Sequence, residues 1–382
     1  MNNERITLDY RTPGLREEEL LTIIRRRMIG QDRAVRLVTR QFIHATAHGG
    51  LFRNPEKPAG QVLFLGPTGT GKTLLMRIVA EILTGSLDGM TKIDCPEIHE
   101  SHDLSRLIGA PHGYLGFDVE PYLTQRQLDH HGFMAQQNDP EFITAITETK
   151  AALDATHTEL RAFHDEMVKL KSVRDANALV RIEQIKLDVR PLIERQNKLN
   201  QNYNDLLAAK DYRPGSYPIV LLFDEIERAD PAIFQILLQI LDTARLTVNY
   251  SPDAHDPRAK DKKGVQEVLF HNAIIGFTSN IGEGEIKNIL RGSKQMGFAA
   301  STRTEQDLDQ QIFHTVLEEV EKHIKSPAFL GRLGKENIVV FSPLTKEEVA
   351  RGLNEMIIPR FVDAMRASDL ALAIEFTERV RA

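Results

Sequence analysis

The chain has 382 residues, of which 41% are hydrophobic and 27% are charged, and its formal net charge is −6 at pH 7. This composition is ordinary for a globular protein, and the acidic balance argues against a general affinity for nucleic acid. The sequence contains no run of 18 apolar residues that could span a membrane, and the amino terminus lacks the apolar stretch of a signal peptide. The single cysteine, Cys95, excludes an internal disulfide framework, so we expect a reducing compartment, the cytoplasm.

The first motif with clear chemistry is a glycine-rich loop between a predicted strand and a predicted helix. Residues 15–47 have helical periodicity with a break at 29–31, residues 62–65 are an apolar strand-like run, and residues 74–80 are again helical. The eight residues before the second helical stretch fit the G-x-x-x-x-G-K-[ST] pattern of a phosphate-binding loop, and they are Gly66, Pro67, Thr68, Gly69, Thr70, Gly71, Lys72 and Thr73.

This loop predicts a nucleotide triphosphate site. Backbone N–H groups and the helix amino terminus favour phosphate, Lys72 can reach the β- and γ-phosphates, and the hydroxyl of Thr73 can bind Mg²⁺. Leu74 follows directly and is included among the nucleotide-binding residues. A glycine turn that matches the pattern by chance is the alternative, and the correct flanking elements weigh against it.

Residues 104–124 contain a second glycine-rich segment, in which Gly113 and Gly116 bracket Tyr114 and Leu115. The local sequence leaves two interpretations open. The tyrosine can be carried on an exposed loop, or it can pack beneath that loop as a partly buried ring.

The stretch from about residue 140 to 210 predicts an antiparallel helical hairpin. Two series of residues have the heptad spacing of a coiled coil, separated by a patternless stretch at 171–178. We expect arms of about 25–30 residues, with Pro191 kinking or breaking the second arm. Two separate buried helices are the alternative. The first series is Ile146, Thr149, Leu153, Thr156, Leu160, Phe163, Met167 and Leu170, and the second is Ile182, Ile185, Val189, Leu192, Gln196, Leu199, Tyr203 and Leu206.

Two further apolar runs predict buried parallel strands that end in polar residues. Residues 219–225 end in Asp224 and Glu225, and residues 273–280 end in Asn280. Carboxylates at the carboxyl end of such a strand lie where a phosphate-loop fold holds its nucleotide. Asp224 is therefore a candidate Mg²⁺ ligand, and Glu225 is a candidate for polarising the attacking water.

With these motifs placed, the chain resembles the Clp family of AAA+ unfoldases over about residues 15–380, in particular their second ATPase module. The segments that carry the resemblance are 28–35, 63–69, 113–116, 224–242, 278–282 and 326–332. It implies an α/β fold of the P-loop AAA+ type, a three-layer αβα arrangement with a parallel sheet.

The resemblance also implies roles for residues that local sequence does not single out. Ile29 would flank the adenine, Asn280 would orient the lytic water, and Arg332 would act as an arginine finger in a neighbouring subunit. Tyr114 and Leu115 would lie on a central-pore loop that grips polypeptide.

The domain organisation follows from where the chain departs from the family pattern. We expect the AAA+ large domain in two parts, 1–130 and 213–342, with the antiparallel coiled-coil hairpin inserted at 131–212. Residues 343–382 would begin an incomplete helical lid, because the Gly-Ala-Arg segment that carries the family's second sensor arginine is absent.

A short motif, Met296-Gly297-Phe298, falls where protease-coupled Clp unfoldases carry a loop that docks onto a peptidase. A loop anchored on a core phenylalanine is the alternative.

The function expected from the resemblance is ATP- and Mg²⁺-dependent unfolding of protein substrates, by a hexameric ring that threads polypeptide and feeds a Clp-like peptidase. The rival hypothesis is a nucleotide-dependent switch or scaffold that acts through the hairpin without threading. A nucleic-acid remodeller is a weaker third hypothesis, because the chain is acidic.

Overall fold

The computed structural model describes residues 17–46, 54–110, 120–172, 176–250, 264–295, 305–324 and 326–359. The strands are β1 (Gly60–Leu65), β2 (Thr91–Asp94), β3 (Ile219–Asp224), β4 (Arg245–Val248), β5 (Gln266–Leu269), β6 (Ala273–Ser279) and β7 (Ile338–Val340). The helices are α1 (Glu17–Arg25), α2 (Asp32–Thr46), α3 (Lys72–Thr84), α4 (Ser105–Ile108), α5 (Gln125–Met134), α6 (Pro140–Ser172), α7 (Ala176–Ala208), α8 (Ile233–Thr243), α9 (Glu283–Gln295), α10 (Glu305–His323), α11 (Pro327–Leu333) and α12 (Lys346–Gly352), which a π-helical turn at Leu353–Ile357 extends.

The centre of the fold is a parallel sheet of five described strands in the order β2-β3-β6-β1-β7. Strand β6 lies between β1 and β3, and all seven of its residues are buried. The predicted strands at 62–65, 219–225 and 273–280 are therefore present and adjacent. Strands β4 and β5 form a separate antiparallel pair.

Helices cover both faces of the sheet, because parallel strands are apolar on both sides. Val220 and Leu222 of β3 pack with α1, α2 and α3, whereas Leu221 and Phe223 pack with α8, α10 and α11. The alternation along β3 divides the core into two clusters, as a strand's period of two requires. The result is the three-layer αβα arrangement that the sequence predicts.

Helices α6 and α7 pair with each other, and each has 33 residues, more than the 25–30 expected. Helix α7 continues through Pro191, so no break occurs there. Proline removes a hydrogen bond to the carbonyl four residues earlier, on Leu187. Both residues are exposed, so water can solvate that carbonyl. The buried heptad positions are Ile146, Thr149, Leu153, Thr156, Leu160, Met167, Ile185, Gln196 and Tyr203.

Helix α5 crosses the predicted boundary at residue 131 and packs against β3. Gly132 allows this approach, since a Cβ atom there would lie 2.4 Å from the carbonyl oxygen of Pro218. None of the helices in the described ranges is both long and apolar enough to cross a membrane.

Replacing Gly132 with alanine is expected to destabilise the protein by about 1–3 kcal/mol, because the added methyl collides with rigid backbone. Gly284→Ala is the matched control: Gly284 is also helical, and a Cβ there meets nothing within 4 Å. That control should be neutral or slightly stabilising. Chemical denaturation of both variants measures the difference. Equal free energies of unfolding would contradict the close contact between α5 and β3.

Candidate nucleotide-binding site

The phosphate-binding loop joins β1 to α3, as the sequence predicts. Its glycines adopt backbone angles that other residues avoid, with φ of +126° at Gly66 and +100° at Gly71. A side chain at Gly66 would also meet the carbonyl oxygen of Phe341 at 2.4 Å, and one at Gly71 would meet Met28 at 2.9 Å. The loop is therefore held against β7 on one side and against the segment between α1 and α2 on the other.

Lys72 is folded back over this loop. Its ammonium donates to the carbonyl oxygens of Gly66 and Pro67, at 2.6 and 2.9 Å, and to Oδ1 of Asn280 at 2.8 Å. Burial lowers the pKa of Lys72, although Glu227, Asp224 and other nearby carboxylates oppose the shift.

Asp224 ends β3 beside the loop and accepts hydrogen bonds from three side chains. The hydroxyl of Thr278 donates to Oδ1, the hydroxyl of Thr73 lies 3.4 Å from the same oxygen, and Nζ of Lys92 lies 2.9 Å from Oδ2. Burial by itself would raise the pKa of Asp224, but the hydrogen bonds from Thr278 and Lys92 lower it. The carboxylate and the Thr73 hydroxyl are the oxygen donors that Mg²⁺ prefers, so this pair fits the ion.

Glu225 follows directly and has a left-handed backbone, with φ of +55°. Its N–H donates to the hydroxyl of Thr278 at 3.0 Å, which helps to hold this conformation. Non-glycine residues rarely adopt it, and such strain is concentrated at functional sites. Its carboxylate accepts from Nδ2 of Asn280 at 3.1 Å and pairs with Arg228 at 3.2 Å.

Asn280 therefore connects the two halves of the site. Its side chain accepts from Lys72 and donates to Glu225, and its backbone N–H donates to Glu227 at 3.0 Å. The structure thus brings together Lys72, Asn280 and Glu225, three residues that the sequence places in one site.

The segment between α1 and α2 lies beside the chain that precedes α12 and beside the end of α12 itself. The side chain of Gln31 donates to the carbonyl of Ser342 at 2.6 Å and accepts from its N–H at 3.3 Å. A Cβ at Gly352 would lie 3.6 Å from Cδ1 of Ile29. Leu74, at the first turn of α3, is 41% exposed. Ile29 and Leu74 are therefore partly open to a ligand, as residues that flank a base must be.

Arg332 does not join this cluster. Its Nε lies 3.0 Å from Oδ2 of Asp242, and its carbonyl accepts from the side chain of Gln61 at 2.8 Å. Gln61 is near the start of β1, four residues before Leu65 at its end. At the rise of a strand, about 13 Å separates that position from the phosphate loop. Arg332 is 42% exposed in its side chain, so it is accessible to a neighbouring molecule.

Sequence reasoning missed Lys92 and Thr278 as parts of the site. Thr278 is in β6, two residues before Asn280, which follows that strand, so its position was a usable signal. Lys92 is on β2, where Asp94 is in register with Asp224, and its ammonium lies 2.5 Å from Asp94. Nothing local to Lys92 indicates this contact, because it depends on strand pairing.

Cys95 is buried at the end of β2, and burial raises the pKa of its thiol. A protonated, enclosed thiol is a poor nucleophile. Tyr114, Leu115 and the Met296-Gly297-Phe298 motif lie outside the described residues.

A parallel sheet with a phosphate-binding loop, an acidic strand end and a neighbouring strand that ends in polar residues defines a P-loop nucleotide-binding protein. Comparisons with known proteins identify the family more closely. The family described as AAA domain (Cdc48 subfamily) matches residues 57–131 and 144–336. The chain therefore belongs to this family, and the expected AAA+ fold is confirmed.

Named relatives refine this assignment to a Clp-type AAA+ ATPase. The chaperone protein ClpC2 of Oryza sativa subsp. japonica chloroplasts is 27% identical over 379 residues, which cover 99% of this chain and 29% of that protein. The ATP-dependent Clp protease ATP-binding subunit ClpC of Staphylococcus aureus (strain USA300) is 30% identical over 346 residues, which cover 89% of this chain and 28% of that protein. The chain thus spans less than a third of the length of these curated relatives.

A solved structure also resembles the fold. A closed-state cryo-EM reconstruction of Hsp104 with ATPγS and FITC casein has a TM-score of 0.51 at 21% identity, and the likeness covers 92% of this chain and 39% of that chain. At this identity the likeness concerns the fold alone.

Replacing Lys92 with methionine is expected to strengthen Mg²⁺ binding. The ammonium competes with the ion for the carboxylate of Asp224, so its removal should lower the Mg²⁺ concentration at half-saturation by about 3- to 10-fold. A fluorescent ATP analogue titrated with Mg²⁺ measures this midpoint. The control is Lys322→Met, which removes an exposed ammonium paired with Glu319. An unchanged or higher midpoint for Lys92→Met would refute the competition.

Proposed function

We propose that this chain hydrolyses ATP and uses the energy to unfold other proteins, which it threads through the central pore of a homo-oligomeric ring. The observation that carries the first half of the proposal is the chain of contacts Lys72–Asn280–Glu225 at the carboxyl edge of the sheet. It connects a phosphate-binding cation and a carboxylate through the amide that would position the water, with one hydrogen bond on each side of that amide.

The residues divide the chemistry of hydrolysis between them. The backbone of residues 66–71 and the ammonium of Lys72 bind the phosphates. Thr73 and Asp224 hold Mg²⁺, which neutralises charge on the phosphates when it is bound. Asn280 orients a water molecule, and Glu225 polarises it and accepts a proton as the water oxygen bonds to the γ-phosphorus. The bond between that phosphorus and the bridging oxygen breaks, which releases ADP and phosphate.

Arg332 completes the site in a neighbouring subunit under this proposal. Its exposure and its distance from the phosphate loop of its own chain support that role, because an arginine so placed is nearer to a neighbouring molecule than to its own nucleotide. A guanidinium that contacts the γ-phosphate of the next subunit stabilises charge in the transition state. The ring is expected to be a hexamer, as the Clp resemblance implies.

Replacing Glu225 with glutamine should abolish hydrolysis while nucleotide binding remains. Glutamine keeps an oxygen that can accept from Asn280, but it cannot accept the proton, so the turnover rate should fall by about 10²- to 10⁴-fold. Phosphate release measures the rate, and binding of a fluorescent ATP analogue gives the affinity. The bound variant should accumulate as an assembled ring on size-exclusion chromatography.

The matched control for this variant is Glu267→Gln, which alters an exposed carboxylate paired with Arg245 on the separate β4–β5 pair. It should hydrolyse ATP at the parent rate. Hydrolysis by Glu225→Gln at that same rate would show that another group activates the water.

The second half of the proposal concerns the substrate. The ClpC relatives are named a chaperone and the ATP-binding subunit of a Clp protease, and these names support a polypeptide substrate. Tyr114 and Leu115 grip that substrate under this proposal. The same proposal includes docking of a Clp-like peptidase through Met296-Gly297-Phe298. It also places the protein in the cytoplasm.

A second candidate is a nucleotide-dependent switch that signals through the hairpin without threading. Three exposed apolar side chains on α7 favour a partner there, and they are Leu179, Val180 and Leu187.

The variant Tyr114→Ala separates the two candidates. A threading enzyme should keep the ATPase rate that it has in the absence of substrate. It should lose most of its casein binding and unfolding, because the aromatic side chain that grips the substrate polypeptide is gone. Fluorescence anisotropy of dye-labelled casein and loss of fluorescence from an unfolded reporter protein measure these effects. A variant that binds and unfolds as the parent does would exclude threading through this loop and leave the switch.

A further inference from the structure

The segments that follow β3 and β6 are joined by two hydrogen bonds beyond the end of their strand pairing. That pairing ends at Phe223 on β3. Beyond it, the main-chain N–H of Glu225 donates to the hydroxyl of Thr278, and the main-chain N–H of Asn280 donates to Oε1 of Glu227, each at 3.0 Å. Each segment therefore supplies a side-chain acceptor for a backbone donor of the other, and Glu227 is the acceptor that holds Asn280.

Glu227 lies on a turn whose backbone is fixed by other parts of the chain. The turn is the 3₁₀ helix Ile226–Arg228. The side chain of Ile226 is fully buried in the core, and just after the turn the N–H of Asp230 donates to the carbonyl oxygen of Ile98 at 2.7 Å. The carboxylate of Glu227 therefore projects from a rigid support.

The side chain of Asn280 depends on this support for its position. Its Oδ1 lies 2.8 Å from Nζ of Lys72 and 3.4 Å from the hydroxyl of Thr68, and its Nδ2 lies 3.1 Å from Oε1 of Glu225. Catalytic groups must be held within about 0.5 Å of their productive geometry, and a misplacement of about 1 Å can lower a rate about 100-fold. The bond to Glu227 restrains the backbone from which the Asn280 amide projects, because it is made by the N–H of the same residue.

The second carboxylate oxygen of Glu227 makes no such contact. Oε2 is enclosed, and it has no hydrogen-bond partner within the part of the chain that the structure describes. Enclosing a carboxylate oxygen without a donor costs free energy of folding. The bond to Asn280 is therefore the contact that favours an oxygen-bearing side chain at this position.

We propose that Glu227 is a positioning residue for ATP hydrolysis, which acts by holding the backbone of Asn280 so that the amide of Asn280 orients the attacking water. This inference rests on the proposed function, since it assumes that Asn280 orients the water. Glu227 itself contacts neither the water nor the phosphates under this inference.

The test compares two neutral substitutions of nearly equal length at this position. Glu227→Gln keeps a side-chain oxygen that can accept from Asn280, whereas the thioether of Glu227→Met is a poor acceptor. Both variants remove the same charge, so a difference between them reports the acceptor alone. Phosphate release at increasing ATP concentrations with excess Mg²⁺ gives kcat and KM, and chemical denaturation gives the unfolding midpoint of each variant.

For Glu227→Met we expect kcat to fall about 10- to 100-fold while KM equals that of Glu227→Gln, because the phosphate loop is intact but the water is poorly oriented. Glu227→Gln should keep kcat within about threefold of the parent value. Both variants should unfold close to the parent's denaturant midpoint. If Glu227→Met does not fold, Glu227→Ala takes its place with the same expectation, since its short side chain forces nothing into the enclosed space.

Three results would overturn the inference. Equal kcat values for Glu227→Met and Glu227→Gln would show that the acceptor does not matter. A higher KM for Glu227→Met at unchanged kcat would indicate a role in nucleotide binding instead. A loss of rate in step with a lower denaturation midpoint would indicate a structural role only.

The Glu225→Gln variant separates this inference from the proposed function. If it hydrolyses ATP at the parent rate, the proposed chemistry fails and the inference falls with it. If it is inactive while Glu227→Met and Glu227→Gln behave alike, only the inference fails.

Discussion

The parallel hydrogen bonding of β1, β3 and β6 is the constraint on which the nucleotide site depends. Strands that run in the same direction end at the same edge, so three segments far apart in the chain meet there. Because β6 lies between the other two, the residue that follows it can reach both neighbours. Asn280 contacts Lys72 on one side and Glu225 on the other for this reason. A slip of one residue in either pairing would direct these side chains to opposite faces of the sheet.

Strand β1 also separates two parts of the proposed site, the phosphate loop and Arg332, which would act on different nucleotides. The phosphate loop follows the end of β1, whereas Arg332 is bonded to Gln61 near its start. A rigid strand between them prevents the arginine from reaching its own nucleotide. Asp242 holds the guanidinium in an exposed position, where it can be transferred from one carboxylate to the phosphate of a neighbouring subunit under the proposed mechanism. Under that mechanism, strand β1 connects the phosphate loop to the residue that would act on a neighbouring subunit.

The hairpin is bonded to the AAA+ domain through a buried ion pair. Removing Glu120 and Arg126 from water is costly, and their mutual attraction, the amides of Asn200 and Asn204 and the hydroxyl of Thr124 compensate for that cost. Such contacts are directional, so they define one orientation of the arms relative to the sheet. These contacts therefore fix α7 against the start of α5 and the residues before it.

The sequence by itself determined the elements whose signals are local. The phosphate loop around Lys72 needs specific backbone angles, the acid Asp224 follows an apolar run, and the heptads of the hairpin repeat every seven residues, so each was predictable from neighbouring residues. Only the tertiary structure decided the contact of Lys92 with Asp224, the uninterrupted helix at Pro191 and the partners of Arg126. These depend on strand register, on solvation of one carbonyl and on packing between segments some 75 residues apart. Local propensity contains no information about such distant partners, because their energies arise only when the chain has folded.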